Sequence, residues 1–259
     1  SVATTILLSS LLLVMSWRGL FFIAAIIALI CAIILPKYLK SAWTDSGELS
    51  DESEQTMNML SAWAKTHPLN GVETFGAIVF FIKSPRFWLI SFGVASLAVL
   101  FEFQVFIPIY LSETFNLMPA EAGLASSAFP LGCLVAVFTG GFVYDKLSKK
   151  NIMFVLGGML VISISCLLSL RYLGSVEWGV QLELVLTIGL IFVFGFAISP
   201  AYYLPMSVFS IDFGGKHCGL LVGLIDALAY FGAMIFDFVG GAVANQDGGW
   251  QVFLSILIV

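Results

Sequence analysis

Long, uninterrupted apolar runs constrain the fold of this chain more than any other feature. They cover residues 19–36, 86–111, 120–144, 151–171, 181–205 and 217–244, with shorter runs at 1–15 and 250–259. A helix needs about 20 apolar residues to cross a bilayer, and backbone groups in lipid must be paired within a helix or a closed barrel. Barrel strands would alternate apolar and polar residues, whereas these runs do not alternate. The sequence therefore predicts six near-complete membrane helices and two partial ones.

Composition excludes the main alternatives to a membrane protein. Of 259 residues, 60% are apolar and only 10% are charged, against roughly 25% charged in an ordinary soluble domain. A soluble globular protein is excluded, because so few charges cannot cover its surface. A disordered chain is excluded too, because such chains are poor in apolar residues and rich in charge. The net charge of -5 argues against binding to a phosphate backbone. We therefore expect the protein to lie in a lipid bilayer and to bind no nucleic acid.

Chemical motifs of enzymes are missing from the sequence. It contains no Ser/His/Asp set, nucleotide-binding loop, dinucleotide fingerprint or zinc motif, and its four cysteines have no metal-ligand spacing. We therefore expect no enzyme activity, no cofactor and no metal. The chain begins at Ser1 inside one apolar run and stops at Val259 inside another, so we expect an internal fragment of a longer protein.

The basic residues predict the orientation of the helices. If the polar stretch 37–85 is cytoplasmic and every run crosses once, only Arg18 and Arg171 fall outside. Cytoplasmic segments carry an excess of Lys and Arg in membrane proteins, and here they hold nine of the eleven. The sequence thus predicts a multi-pass integral membrane protein whose 37–85 loop is cytoplasmic, with no indication of which membrane. The nine are Lys37, Lys40, Lys65, Lys83, Arg86, Lys146, Lys149, Lys150 and Lys216.

The 37–85 stretch divides the chain into two helical regions. An acidic run from Asp45 to Glu54 is typical of a solvated linker. Apolar residues at helical spacing then predict a short amphipathic helix on the membrane surface; these are Phe75, Ile78, Val79 and Ile82. We expect residues 1–36 to be the last two spans of one bundle, the first of them truncated. Residues 86–259 would form a six-helix bundle with a truncated last span. The fold class is all-α, and two bundles joined by a cytoplasmic loop are organised like a transporter.

A glycine-rich and basic loop carries the most specific motif. It runs Gly140-Gly141-Phe142-Val143-Tyr144-Asp145-Lys146-Leu147-Ser148-Lys149-Lys150. It resembles the loop signature G-x-x-x-D-R/K-x-G-R/K-R/K of the major facilitator superfamily, with Ser148 in place of the second glycine. The resemblance implies a gating latch between two bundles, formed by Gly141, Asp145, Lys146, Lys149 and Lys150. A generic basic turn is the alternative.

Two further segments resemble the same superfamily. Ser16-Trp17-Arg18-Gly19-Leu20-Phe21-Phe22 looks like its W-R-x-x-F element, and Lys83-Ser84-Pro85-Arg86-Phe87-Trp88 looks like the entry to its seventh span. The resemblance implies that the chain holds spans five to twelve. It would then comprise the C-terminal six-helix bundle of the major facilitator type and part of the N-terminal one.

Within the superfamily, the organophosphate:phosphate antiporters are the most similar group. The resemblance rests on Pro108-Ile109-Tyr110-Leu111, on Gly195-Phe196-Ala197-Ile198-Ser199-Pro200 and on Gly214-Gly215. That group holds the substrate phosphate with a basic residue in the seventh span, which falls near Leu100 here. No Arg or Lys lies between residues 87 and 145, and Glu102 is close instead. A phosphate dianion facing this carboxylate without a cation would be repelled.

Carboxylates and amides inside the apolar runs are the sharpest candidates for a site. Glu102 lies about 24 Å along its span from Arg86, and Asp226 about 15 Å from Lys216, at roughly 1.5 Å per residue. A charge at this depth is costly and needs a reason. The functional interpretation is binding of a polar substrate, or proton or cation coupling, with Gln104 as a third cavity residue. The structural alternative is hydrogen bonding between neighbouring helices.

The span at 181–205 adds prolines and tyrosines to this set. Pro200 and Pro205 are expected to kink the helix and free backbone carbonyls. Tyr202 and Tyr203 lie between them and are substrate-binding candidates, with an interfacial aromatic belt as the alternative.

The sequence thus predicts a secondary active transporter of a small polar metabolite that works by alternating access. The family resemblance implies an organic anion or sugar phosphate, by antiport or proton symport, so that the other partner would be phosphate or a proton. The alternative is a non-transporting receptor or structural membrane subunit of similar fold.

Overall fold

The computed structural model describes Ser10 and residues 17–38, 67–144, 146–173, 179–246 and 248–258. The predicted span at 1–15, apart from Ser10, the acidic run and Asp145 lie outside the described residues. Within them the chain is helical without a strand, as predicted. The α-helices are α1 (Trp17–Tyr38), α2 (Thr74–Lys83), α3 (Pro85–Phe115), α4 (Pro119–Ser126), α5 (Ala128–Tyr144), α6 (Lys149–Leu173), α7 (Val180–Gly214), α8 (Cys218–Ala244) and α9 (Gly249–Ile258).

Four described stretches are long and apolar enough to cross a membrane: Pro85–Phe115, Pro119–Tyr144, Lys150–Leu173 and Val180–Ala244. The last contains two helices, α7 with 35 residues and α8 with 27, each longer than the roughly 20 that one crossing needs. They are separated by a 3-10 turn at Gly215–His217. Gly215 adopts φ +54° there, a left-handed conformation that glycine accepts without steric cost.

The apolar run at 120–144 forms two helices rather than one. Helix α4 ends at Ser126, and α5 starts at Ala128. The hydroxyls of Ser126 and Ser127 donate to the carbonyls of Gly123 and Leu124 at 2.7 and 2.6 Å. Serine hydroxyls that bond the preceding turn compete with the helical bonds of the backbone, and Pro130 has no N–H to donate to the carbonyl of Ser126.

Helices α5 and α7 cross at a pair of glycines. A Cβ atom built on Gly132 would overlap the carbonyl of Phe192, and one built on Gly195 would overlap the carbonyl of Phe129. Only glycine permits this approach of two backbones, which is the usual way in which membrane helices gain packing contact. The thiol of Cys133 donates to the carbonyl of Gly195 at 3.4 Å beside the crossing.

Two groups of buried side chains hold the bundle together. The first, the aromatic core, lies between α3, α5, α6, α7, α8 and α9. Its largest fully buried members are Phe103, Ile107, Leu111, Phe129, Leu167, Ile191, Phe194, Ile198 and Phe253. The second, the α2 core, joins α2 to the starts of α3 and α8. It comprises Leu69, Ala77, Phe81, Phe87, Val94, Ala98, Leu221, Ile225 and Ala229.

Residues 67–73, which precede α2, are attached to the turn between α7 and α8. The His217 Nε2 atom lies 2.9 Å from the carbonyl of Val72, and the His67 Nε2 atom lies 3.3 Å from the carbonyl of Asp212. Helix α2 then buries Ala77 and Phe81, whereas Phe75 and Ile82 are exposed. The location of α2 on a membrane surface stays a prediction, as does the division of the chain into two bundles.

Candidate functional site

The five residues proposed from the sequence for substrate or coupling-ion binding line one cavity in the structure. Its volume is about 510 Å³, within the range of roughly 300–1,000 Å³ that is usual for small-molecule sites. Helices α3, α7 and α8 form its wall. The five residues are Glu102, Gln104, Tyr202, Tyr203 and Asp226.

Helix α3 contributes polar groups to the cavity and apolar groups to the aromatic core at adjacent positions. Glu102 is half-buried at the cavity, whereas the next residue, Phe103, is completely buried. Gln104 is exposed on the cavity rim. Successive helical residues point about 100° apart, so this helix can face both regions within three residues.

Helix α8 presents one face to the cavity. Val222, Asp226 and Tyr230 follow one another at intervals of four residues and all line it. Residues four apart share one face of a helix, so Asp226 lies between an apolar and an aromatic neighbour. Asp237, eleven residues further along, does not line this cavity. Its half-buried side chain has one buried oxygen without a hydrogen-bond partner among the described residues.

Aromatic rings form the wall between α3 and α7. Phe101 stacks on Tyr202 with ring centroids 5.0 Å apart and an interplanar angle of 29°. Tyr203 meets Tyr202 edge-on at 5.0 Å and Phe101 edge-on at 6.0 Å. Phe101 also contacts Phe129 of the aromatic core edge-on at 5.3 Å. Ring pairs at these separations are attractive, so the wall is a connected aromatic surface.

The cavity has a negative character. Glu102 and Asp226 are its carboxylates, and none of its lining residues in the described part of the chain is Lys, Arg or His. The described residues also contain no group of His, Cys, Asp and Glu that could hold a metal ion. The arrangement offers hydrogen-bond acceptors, phenol groups and one amide beside aromatic rings. It offers no positive charge.

Sequence reasoning missed several residues of this wall. Phe101, Met206, Ser207 and Tyr230 line the cavity with the five candidates. The signal for Tyr230 was available, because it lies one turn after Asp226. Phe101 had no signal, since an aromatic residue that faces a cavity looks the same in sequence as one that faces lipid.

Helix α7 continues through both prolines predicted to kink it. Pro200 is buried and Pro205 is half-buried within Val180–Gly214. Proline has no N–H, so the carbonyls of Phe196 and Ala201 lose their usual helical donors. The kink itself stays a prediction.

A second cavity of about 280 Å³ lies between the second half of α5 and the interior of α7. Gly140, Gly141 and Tyr144 line it on α5, opposite Ser199 and Tyr203 on α7. Gly141 is exposed, and a Cβ built on it would meet no described atom within 4 Å. The close backbone contacts between α5 and α7 are at Gly132 and Gly195.

The predicted latch is described in part. Lys146 and Lys150 are exposed, Lys149 is the first residue of α6, and Asp145 lies outside the described residues. Ser148, which replaces the second glycine of the loop motif, accepts the backbone N–H of Asn151 with its hydroxyl at 3.4 Å. It therefore lies where a residue can cap the start of α6.

Several named proteins are similar in sequence to this chain over most of its length. It is 24% identical over 221 residues to an Arabidopsis thaliana protein named "Putative glycerol-3-phosphate transporter 5", covering 81% of this chain and 39% of that protein. It is 26% identical over 260 residues to the "Probable hexose phosphate transport protein" of Chlamydia trachomatis, covering 93% of this chain and 54% of the relative. A glucose-6-phosphate exchanger of Xenopus tropicalis is 24% identical over 230 residues, covering 86% of this chain and 41% of the relative. This chain thus spans about half, or less, of the length of these relatives.

The family assignment rests on a match over most of the chain. Residues 1–236 match the sequence profile of the Major Facilitator Superfamily. This match includes α1 to α7 and most of α8, and it agrees with the all-helical fold and the helices long enough to cross a membrane. The resemblance found in the loop motif is confirmed, and so is a multi-pass integral membrane protein. The chain belongs to the Major Facilitator Superfamily.

Proposed function

We propose that this protein is a secondary active transporter of a small organic phosphate. The observation that supports the proposal most is the cavity between α3, α7 and α8. Five polar or aromatic residues of these otherwise apolar helices line it. Transporters of this organisation bind their substrates near the middle of the membrane, between two helical bundles. In support of this, Glu102 is near the middle of α3, a helix of 31 residues that is long and apolar enough to cross a membrane.

The substrate class comes from the names of the relatives. The three described above are named for glycerol 3-phosphate, hexose phosphate or glucose 6-phosphate. Antiport against inorganic phosphate is the coupling that we propose. Proton symport is the alternative, with Glu102 or Asp226 as the proton carrier.

The transport cycle would require the second bundle of the fold. In the proposed orientation, residues 37–85 are cytoplasmic, and residues 1–36 belong to that second bundle. Rocking of the two bundles would expose the cavity alternately on each side. Gly141, Asp145, Lys146, Lys149 and Lys150 would form the latch that holds one of the two states, and its lysines would lie at the cytoplasmic headgroups.

Counterflow in liposomes tests the proposal. The full-length gene product would be reconstituted into liposomes loaded with phosphate, and labelled phosphate, glycerol 3-phosphate, hexose 6-phosphate and uncharged hexose would be added in parallel. We expect uptake of phosphate and of at least one organic phosphate. Uptake of uncharged hexose alone would contradict the substrate class. No uptake of any solute by folded protein would favour a receptor or structural subunit.

A further inference from the structure

The charges of the cavity wall determine which end of an organic phosphate can contact it. A phosphate dianion brought to this wall would approach Glu102 and Asp226, and the lining residues provide no basic side chain to compensate. Like charges repel strongly where water is scarce, and a buried unpaired charge is costly. The phosphate end of a substrate is therefore excluded from this wall.

The same groups suit a polyhydroxyl compound. Carboxylate oxygens accept hydrogen bonds from hydroxyl groups, and the amide of Gln104 and the phenol of Tyr202 both donate and accept. These groups lie beside the stacked Phe101 and Tyr202 rings, an apolar surface for the C–H face of a sugar. Polar groups placed beside aromatic surface are typical of small-molecule sites, where they fix the orientation of the ligand.

The exposed rim leaves room for the other end of the substrate. Gln104, Tyr203 and Tyr230 are each exposed while they line the cavity, with Tyr230 exposed by 63%. These three side chains thus mark the open side of the wall, next to the stacked rings of Phe101 and Tyr202. A ligand seated on the rings can extend a charged group through the open side.

We propose that this wall recognises the uncharged polyhydroxyl part of an organic phosphate. Phe101 and Tyr202 would stack on it, Glu102, Gln104 and Asp226 would bond its hydroxyl groups, and the phosphate would be held by residues outside this wall. The inference rests on the proposed function and adds to it the part of the substrate that this half of the transporter selects.

The test compares the Michaelis constants of two substrates in each variant of the full-length protein. Phosphate uptake is measured in phosphate-loaded liposomes, and so is hexose 6-phosphate uptake. In Gln104→Leu and in Tyr202→Leu, we expect the ratio of the hexose 6-phosphate KM to the phosphate KM to rise at least tenfold. A ratio is insensitive to the amount of protein reconstituted, and size-exclusion chromatography verifies folding.

Glu113→Gln serves as the matched control. Glu113 is on the same helix and does not line the cavity. Its carboxylate accepts a hydrogen bond of 2.8 Å from the Trp250 Nε1–H. The ratio should stay within twofold of wild type. A series of monodeoxy hexose 6-phosphates sharpens the assignment, because removal of the hydroxyl that bonds Gln104 should raise the wild-type KM and leave that of Gln104→Leu unchanged.

Three outcomes would overturn the inference in distinguishable ways. An unchanged ratio in both leucine variants would show that the wall does not select the polyhydroxyl part, while the proposed function would stand. Uptake of labelled choline that Glu102→Gln abolishes would assign the carboxylates to a cation. Absence of organic phosphate uptake by the wild-type protein would refute the proposed function together with the inference.

Discussion

The aromatic core and the cavity wall are built by the same helices and differ in almost every other respect. Helices α3, α7 and α8 contribute to both. In the core, rings such as Phe103 and Phe253 are completely buried. At the cavity, the charged and phenolic side chains are half-buried or exposed. The bundle therefore keeps stability and proposed binding on different faces of single helices, and substitutions one residue apart should have different effects.

The largest loss of stability is expected from Gly195→Ala at the crossing of α5 and α7. The new methyl group would overlap the carbonyl of Phe129, and backbone atoms cannot rotate away as a side chain can. We expect a loss of about 3 kcal/mol, the upper end for overpacking, seen as a lower yield and a lower Tm in detergent.

Gly189→Ala provides the control on the same helix. A Cβ at this position meets no described atom within 4 Å, and alanine has the higher helix propensity. The Tm should be unchanged or slightly higher. Equal losses in the two variants would mean that the crossing does not depend on the glycine.

Phe103→Ala and Glu102→Gln compare the two regions at adjacent residues. Phe103 contacts Phe194 and Phe253 at centroid distances of 5.8 and 6.1 Å. Its removal should cost about 2 kcal/mol, less than in a soluble core, because the unfolded reference state in lipid is also apolar. Glu102→Gln should change the unfolding free energy by no more than about 0.5 kcal/mol, as for a residue without packing in the core.

Thermal unfolding of both variants in the same detergent measures the difference. An equal loss of stability in Glu102→Gln would favour the structural interpretation of this carboxylate, in which it bonds a neighbouring helix. The separation of the two regions along α3 would then be wrong.

Phe101→Leu tests the residue that joins the two regions. Its ring stacks on Tyr202 at the cavity and contacts Phe129 of the core edge-on. Each ring contact is worth about 0.5–1.5 kcal/mol, so the loss of the two contacts should cost at least about 1 kcal/mol of stability. It should also raise the KM for hexose 6-phosphate about fivefold, measured by counterflow.

Phe92→Leu is the control for this ring. Phe92 lies on the same helix, is 66% exposed and does not line the cavity. Its replacement should leave the KM unchanged. A KM unaffected by Phe101→Leu would remove the aromatic surface from the proposed binding site.

The lipid around this protein determines which parts of its structure the sequence can predict. The helices were predictable, because a bilayer demands continuous apolar runs. Which face of each helix is buried was not, since lipid-facing and core-facing residues are both apolar. The crossing at Gly132 and Gly195 and the roles of Phe101 and Phe103 therefore emerged only from the structure. The carboxylate at Glu102 was predictable as a cavity residue because a charge in lipid is costly.

The smallest effect is expected at the hydrogen bond between α9 and the last turn of α3. The Trp250 Nε1–H donates to the Glu113 carboxylate at 2.8 Å in an exposed location, and the ring also packs edge-on against Tyr110 at 5.3 Å. Trp250→Phe would keep a ring in place and remove the hydrogen bond, which should cost about 0.5 kcal/mol because the bond is exposed. The KM ratio should not change, because this pair is remote from the cavity wall. A double-mutant cycle with Glu113→Gln, which retains an acceptor oxygen, isolates the charged part of the bond. A changed KM ratio in Trp250→Phe would show that the core and the cavity are coupled, and that their separation on these helices is incomplete.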